Sequence, residues 1–164
     1  MTRNHDALNP QFDLLLERVV DVPRERVWRA WTTPELLKKW FTPRPWETID
    51  CELERRPGGI FRTTMRSPEG EECPVLGCFL EVVENERLVW TEALGPGFRP
   101  LQKSGEVPTI TAVLTFTDEG HATKYSARVL HASQAERDKH EALGFFDGWN
   151  AALDQMVEMI QASR

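Results

Sequence analysis

The stretch LGFFDGWNAALDQMVEMI (143–160) decides how this chain is read. Leu143, Phe146, Trp149, Leu153, Met156 or Val157, and Ile160 step by threes and fours, the spacing of one face of an α-helix. This spacing predicts a single long helix from about Ser133 to Ala162, apolar along one side. Gly144 and Gly148, four apart, each cost about 1 kcal/mol in helix propensity, so their presence needs a reason. Close packing against a sheet is the preferred reason and the approach of a ligand is the alternative. A helix with one apolar face must bury it against another layer, and the upstream sequence supplies that layer.

Working back from the helix, the chain reads as strands. Thr123 to His131 alternates, with Thr123, Tyr125, Ala127, Val129 and His131 on one face opposite Lys124, Ser126, Arg128 and Leu130. Ile110 to Thr117, Arg87 to Ala93, Pro74 to Val83 and Ile60 to Arg66 have the same extended character. Asp118-Glu119-Gly120-His121, Glu84-Asn85-Glu86 and Ser67-Pro68-Glu69-Gly70 join them as turns, while residues 95–108 form a longer Gly/Pro loop. A period of two over Ile49, Cys51 and Leu53 marks a half-buried strand from about Trp46, and Pro57-Gly58-Gly59 turns it into the next. Phe12 to Val20 is a first strand. Pro23 and then Thr33-Pro34 open two short helices, with Val27, Trp28, Ala30 and Trp31 at helical spacing in the first and Leu36, Leu37 and Trp40 in the second. The predicted class is α+β, with six or seven antiparallel strands in one curved sheet wrapped on the C-terminal helix. Residues 1–11 read as a polar tail and 12–162 as a single domain.

Composition narrows the function. The 164 residues carry 20 basic and 26 acidic side chains, a net charge of −6, which opposes binding to phosphate backbones or anionic lipid. No nucleic-acid partner and no membrane association is expected. Three cysteines without a Cys-x-x-Cys pair, and histidines scattered at 5, 121, 131 and 140, give neither a disulfide framework nor a metal site. His140-Glu141 lacks a second helical histidine, and no Gly-x-Ser-x-Gly or phosphate-binding loop occurs, so no cofactor is expected either. With no apolar core in MTRNHDALNP, the expected location is the reducing cytoplasm.

Several stretches together resemble a known family. They are VVDVPRERVWRAWTTPELLKKWF (19–41), Pro57-Gly58-Gly59 with Phe61 and Met65, Gly77 with Glu81-Val82-Val83, Glu86-Arg87-Leu88-Val89, Thr111 with Phe116, and Gly148-Trp149 with Leu153. In this order and spacing the chain, from about Leu14 to Gln161, resembles the START-like (SRPBCC) superfamily. Within it, the resemblance is to homologues of the C-terminal domain of the activator of heat-shock protein 90 ATPase. It implies a helix-grip (START-like/Bet v 1-like) fold, in which the last helix grips a curved sheet and leaves a cavity. Members include lipid carriers, polyketide cyclases and stress-response proteins, so the resemblance implies a fold more than an activity.

The residues themselves suggest where function would sit. Six Trp and eight Phe accompany a single Tyr, giving much aromatic surface with little polar capacity. These rings either fill the space under the helix or line a pocket, since small-molecule sites are also mainly apolar and aromatic. Trp149 beside Gly148, after Phe145 and Phe146, marks the helix wall. Trp40, Trp46, Phe61, Met65 and Trp90 mark the opposite wall, with Tyr125 and His131 as polar groups. The first expectation is a non-enzymatic, stand-alone START-like domain holding a small hydrophobic ligand. A chaperone-associated module is an alternative implied by the resemblance. A cyclase- or hydratase-like enzyme is another, with Glu92, Tyr125 and His131 as candidate acid–base groups. Structural satisfaction by hydrogen bonds is the competing reading for Tyr125 and His131.

Overall fold

The computed structural model describes residues 7–103 and 106–163; the first six residues of the expected tail, with His5, lie outside them. The chain runs β1 (Asp13–Val20), α1 (Arg24–Thr32), α2 (Pro34–Trp40), β2 (Glu47–Leu53), β3 (Ile60–Arg66), β4 (Glu72–Val83) and β5 (Arg87–Thr91). It continues through a two-residue ribbon, β6 (Leu94–Gly95) and β7 (Arg99–Pro100), to β8 (Thr111–Glu119), β9 (Ala122–Leu130), α3 (Gln134–Ala142) and α4 (Phe145–Ala162). Seven strands form one antiparallel sheet in the order β1-β9-β8-β5-β4-β3-β2, and α1 and α2 carry the chain from one edge to the other. This is the helix-grip arrangement that the sequence led us to expect. Among the described residues, the expected loop over 95–108 contains the β6–β7 ribbon and a 3-10 turn at Pro96–Phe98.

The pairing register explains the concave face. Leu14 pairs with Val129, Val129 with Ala112, Ala112 with Trp90, and Trp90 with Phe79, so one row of apolar side chains crosses five strands. All five are at most 2% exposed, and they form the floor beneath α4. Thr123, Tyr125, Ala127, Val129 and His131 are buried as their alternation requires. At β1 the sheet is tied to α4 by Arg18, which reaches Asn150 Oδ1 (3.2 Å) and Asp154 Oδ1 (2.8 Å). Gly77 allows β4 and β5 to close up, because a Cβ there would lie 2.1 Å from the carbonyl oxygen of Thr91.

The C-terminal segment departs from the expected single helix. It breaks at Leu143-Gly144, where Gly144 adopts φ 98° and starts α4, and Ser133 caps α3 by accepting from the Glu136 amide (3.2 Å). A left-handed residue cannot continue a right-handed helix, and glycine takes that conformation with no steric cost. The apolar stripe is shortened as a result. Leu143 (63% exposed) and Phe146 (37% exposed) lie outside the core, whereas Phe145, Leu153, Met156 and Ile160 are buried.

Candidate functional site

The two short helices bring their rings under α4. Trp31 packs edge-on against Trp40 (4.9 Å between ring centres) and Phe41 (5.6 Å) and lies tilted 6.4 Å from Trp90, which stacks on Phe61 at 4.3 Å. Such pairs add about 0.5–1.5 kcal/mol each beyond the area they bury, which fixes the rings in place. Trp40 donates its indole N–H to the carbonyl of Ala30 (3.1 Å). From α4, buried Gln155 donates to the carbonyls of Trp40 and Thr42 (3.0 Å each) and accepts from the Arg44 amide (2.9 Å). One side chain thus pins α4 to the α2–β2 connection.

Between these rings, the sheet and α4 lies a cavity of about 340 Å³. Trp31, Trp40, Phe61, Met65, Trp90 and Tyr125 line it from the sheet and short helices, and Phe145, Trp149, Ala152 and Leu153 line it from α4. Gly148 belongs to the same wall, and a Cβ placed on it would meet nothing within 4 Å. The expected close packing at Gly148 is therefore not what the glycine provides: it opens space on the cavity side of the helix. Val107 (70% exposed) and Leu143 (63% exposed), among the most exposed apolar side chains of the described residues, also border the cavity and mark its mouth. A second, adjoining space of about 600 Å³ shares Thr42, Pro43, Met65, Val75, Glu92 and Val107 with the first and adds Trp46, Cys73, Lys103 and Glu106.

Most of the residues expected at the site come together, with three exceptions. Trp40, Phe61, Met65, Trp90, Tyr125, Phe145 and Trp149 all border the main cavity, as does Glu92, whereas Trp46 borders only the adjoining space. His131 borders neither. It sits at the end of β9 under α3, its Nδ1 2.9 Å from the Phe12 carbonyl oxygen and its Nε2 2.8 Å from Nδ1 of His140. Phe146, expected in the helix wall, instead packs outside against Phe145 (4.9 Å). The sequence reading missed His140, which α3 brings to the cavity edge and 5.2 Å from the Phe145 ring. It also missed Gln155. The break at Gly144 was the available signal for His140, because it folds α3 back over the sheet end.

Polar groups are few and mostly occupied. The Tyr125 hydroxyl accepts from the Trp31 indole N–H (3.1 Å), and burial pushes its phenol well above the ordinary range. Burial, with His131 adding to it, holds His140 down to about 4, so its ring is neutral. Burial raises Glu92 to about 7; Lys103 and the Ile110 backbone act in the opposite direction but more weakly. The Trp90 indole N–H is buried without an acceptor among the described residues. Glu92, Tyr125 and His131 do not converge on one point of the cavity, since His131 is held by backbone and His140 outside it. Among the described residues, no group of three or more His, Cys, Asp or Glu could hold a metal ion, and no helix is long and apolar enough to cross a membrane.

Sheet, gripping helix and the apolar space between them together define a START-like helix-grip domain. Residues 21–161 match the family described as Activator of Hsp90 ATPase homolog 1-like protein, and the chain belongs to that family. Among solved structures, a crystallised protein from Nitrosomonas europaea is 42% identical with a TM-score of 0.90, covering 95% of this chain and 98% of its own. A Rhodobacter sphaeroides protein superposes with a TM-score of 0.81 at 22% identity, covering 94% of this chain and 95% of its own. An AHSA1-like protein from Aeromonas hydrophila, solved by NMR, gives 0.69 at 18% identity with coverages of 92% and 93%. These last two are likenesses of fold. None of the curated proteins matches the sequence.

Proposed function

We propose that this domain binds a small hydrophobic molecule in the cavity between its sheet and α4. The observation that carries the reading is an aromatic-lined space of about 340 Å³, with exposed Val107 and Leu143 at its mouth. Ligand sites run from about 300 to 1,000 Å³ and are mainly apolar with a few placed polar groups. An apolar cavity of roughly 150 Å³ already holds benzene, so this one suits a body of about two rings. Gly148 supports the same reading, because a helix glycine that opens space costs stability and gives no packing in return.

The test is a thermal-shift screen of flat aromatics, sterols and fatty acids on the purified protein. A molecule bound at a hundred times its Kd stabilises by about 2.7 kcal/mol, a rise of several degrees for a domain of this size. The rise should vanish in Gly148→Trp, whose side chain occupies the space. No shift with any class would refute the proposal. The family description favours a second reading, contact with a heat-shock protein 90 through the outer surface. Stimulation of that chaperone's ATPase, undiminished in Gly148→Trp, would select it over the cavity.

A further inference from the structure

We infer that the cavity selects an aromatic-bodied molecule bearing a protonated amine, and that Glu92 is the residue recognising the cation. This rests on the proposed reading of the cavity as a ligand site and specifies the chemistry of the ligand.

The charges bordering the space are lopsided. Glu92 is the one ionisable carboxylate on the main cavity among the described residues, and no lysine or arginine borders it. Lys103 borders only the adjoining space with Glu106; its Nζ reaches the Leu76 carbonyl (3.4 Å), and its charge lowers Glu92 only weakly, with no ion pair joining the two among the described contacts. His140, at the cavity edge, is neutral and bonded to His131. Burial raises Glu92 even though the Ile110 backbone and the charge of Lys103 pull the other way, so the carboxylate has no full counter-charge on the main cavity wall. An ammonium group brought in by a ligand would supply that counter-charge.

The rings around Glu92 favour the same chemistry. Trp90 is two residues before it on the same face, stacked on Phe61, and Trp31, Trp40 and Trp149 complete the lining. Aromatic faces attract cations, indole most strongly, and the attraction grows when water is excluded. A carboxylate ligand would meet Glu92 as a like charge and find no cation in the cavity, so fatty acids should be rejected. The orphaned Trp90 N–H could serve an uncharged acceptor on the ligand, but nothing on the cavity wall would neutralise an anion.

The test uses three probes with the same ring body: 1-naphthylmethylamine, 1-naphthalenemethanol and 1-naphthoate. Affinities are measured by calorimetry at about pH 8 on the wild-type protein and on Glu92→Gln. Hydrogen bonds to charged groups are among the stronger ones, so the amine should bind about tenfold or more tighter than the alcohol, with the acid weakest. In Glu92→Gln the advantage of the amine over the alcohol should fall to about threefold or less. Equal binding of amine and alcohol to the wild type, or an advantage that survives in Glu92→Gln, overturns the inference and leaves the hydrophobic site standing. Failure of all three probes to bind the wild type overturns both.

Discussion

Glu92 and His140, two half-buried groups that both border the cavity, should give the protein opposing pH dependences that single substitutions unmask. Glu92 goes from an ordinary 4.5 to about 7, so between these values the folded protein holds a proton that the unfolded chain has released. Its contribution to stability is complete below 4.5 and is lost as pH rises through 7. His140 goes from 6.5 to about 4, so over that interval the folded protein binds less proton than the unfolded chain. Its contribution is present above 6.5 and is lost as pH falls through 4. At about 1.4 kcal/mol per pH unit, each interval corresponds to about 3 kcal/mol at most, and the two slopes oppose each other between 4.5 and 6.5. Urea unfolding at a series of pH values reads both. Glu92→Gln keeps the shape and an oxygen to accept a hydrogen bond, and it should gain on the wild type by up to about 3 kcal/mol from pH 4.5 to 8. His140→Leu should gain on the wild type from pH 7 down to 4. A Glu92→Gln difference that stays flat across this range would mean a hydrated carboxylate with ordinary titration and would refute burial as the cause that raises Glu92.

Three further substitutions probe the walls. Gly148→Ala places a methyl where nothing lies within 4 Å, so the empty protein should gain about 0.5–1 kcal/mol, read as a rise in melting temperature of roughly 1–4 °C. Gln155→Leu removes the hydrogen bonds to the Trp40 and Thr42 carbonyls and the Arg44 amide and should cost about 2–4 kcal/mol in urea unfolding. Gly144→Ala imposes φ 98° on a side-chain-bearing residue and should cost about 1–2 kcal/mol, with amide exchange speeding up in α3 more than in the sheet.

Legibility in the sequence followed the range of the forces involved. Alternation along β9 placed Tyr125 and His131 on the buried face, because a strand leaves only two sides to choose from. Helical spacing found α4 and its buried Leu153, Met156 and Ile160. The same spacing ran on through Leu143, because one residue with positive φ interrupts a helix without disturbing the apolar period around it. His140 and Gln155 were invisible for a different reason: their partners, His131, Trp40, Thr42 and Arg44, are 9 to 115 positions away, and nothing local marks such bonds. Parity could place His131 on the inner face but not report that the strand ends where α3 takes over from the cavity.

Whether the rings fill the space or line it has a different answer at each end of the molecule. Trp28 meets Phe116 edge-on at 6.3 Å, and Phe116 lies against Tyr125 at 5.7 Å, so the end beneath α1 is filled with ring on ring. At the other end α4 presents Gly148 and Ala152 towards Trp40, Phe61 and Trp90, and small residues opposite large ones leave a volume that no neighbour occupies. Close-packed interiors rarely keep such voids, because wall atoms without neighbours lose their dispersion contacts. A Leu or Met at 148 would recover those contacts and remove a helix glycine in one step, so the hollow runs against both packing and propensity. Glu92 adds a third opposing element, a half-buried carboxylate bordering that hollow with no lysine or arginine on its wall among the described residues. Packing, propensity and charge burial set aside together in one place are what the proposed ligand site would impose on this fold.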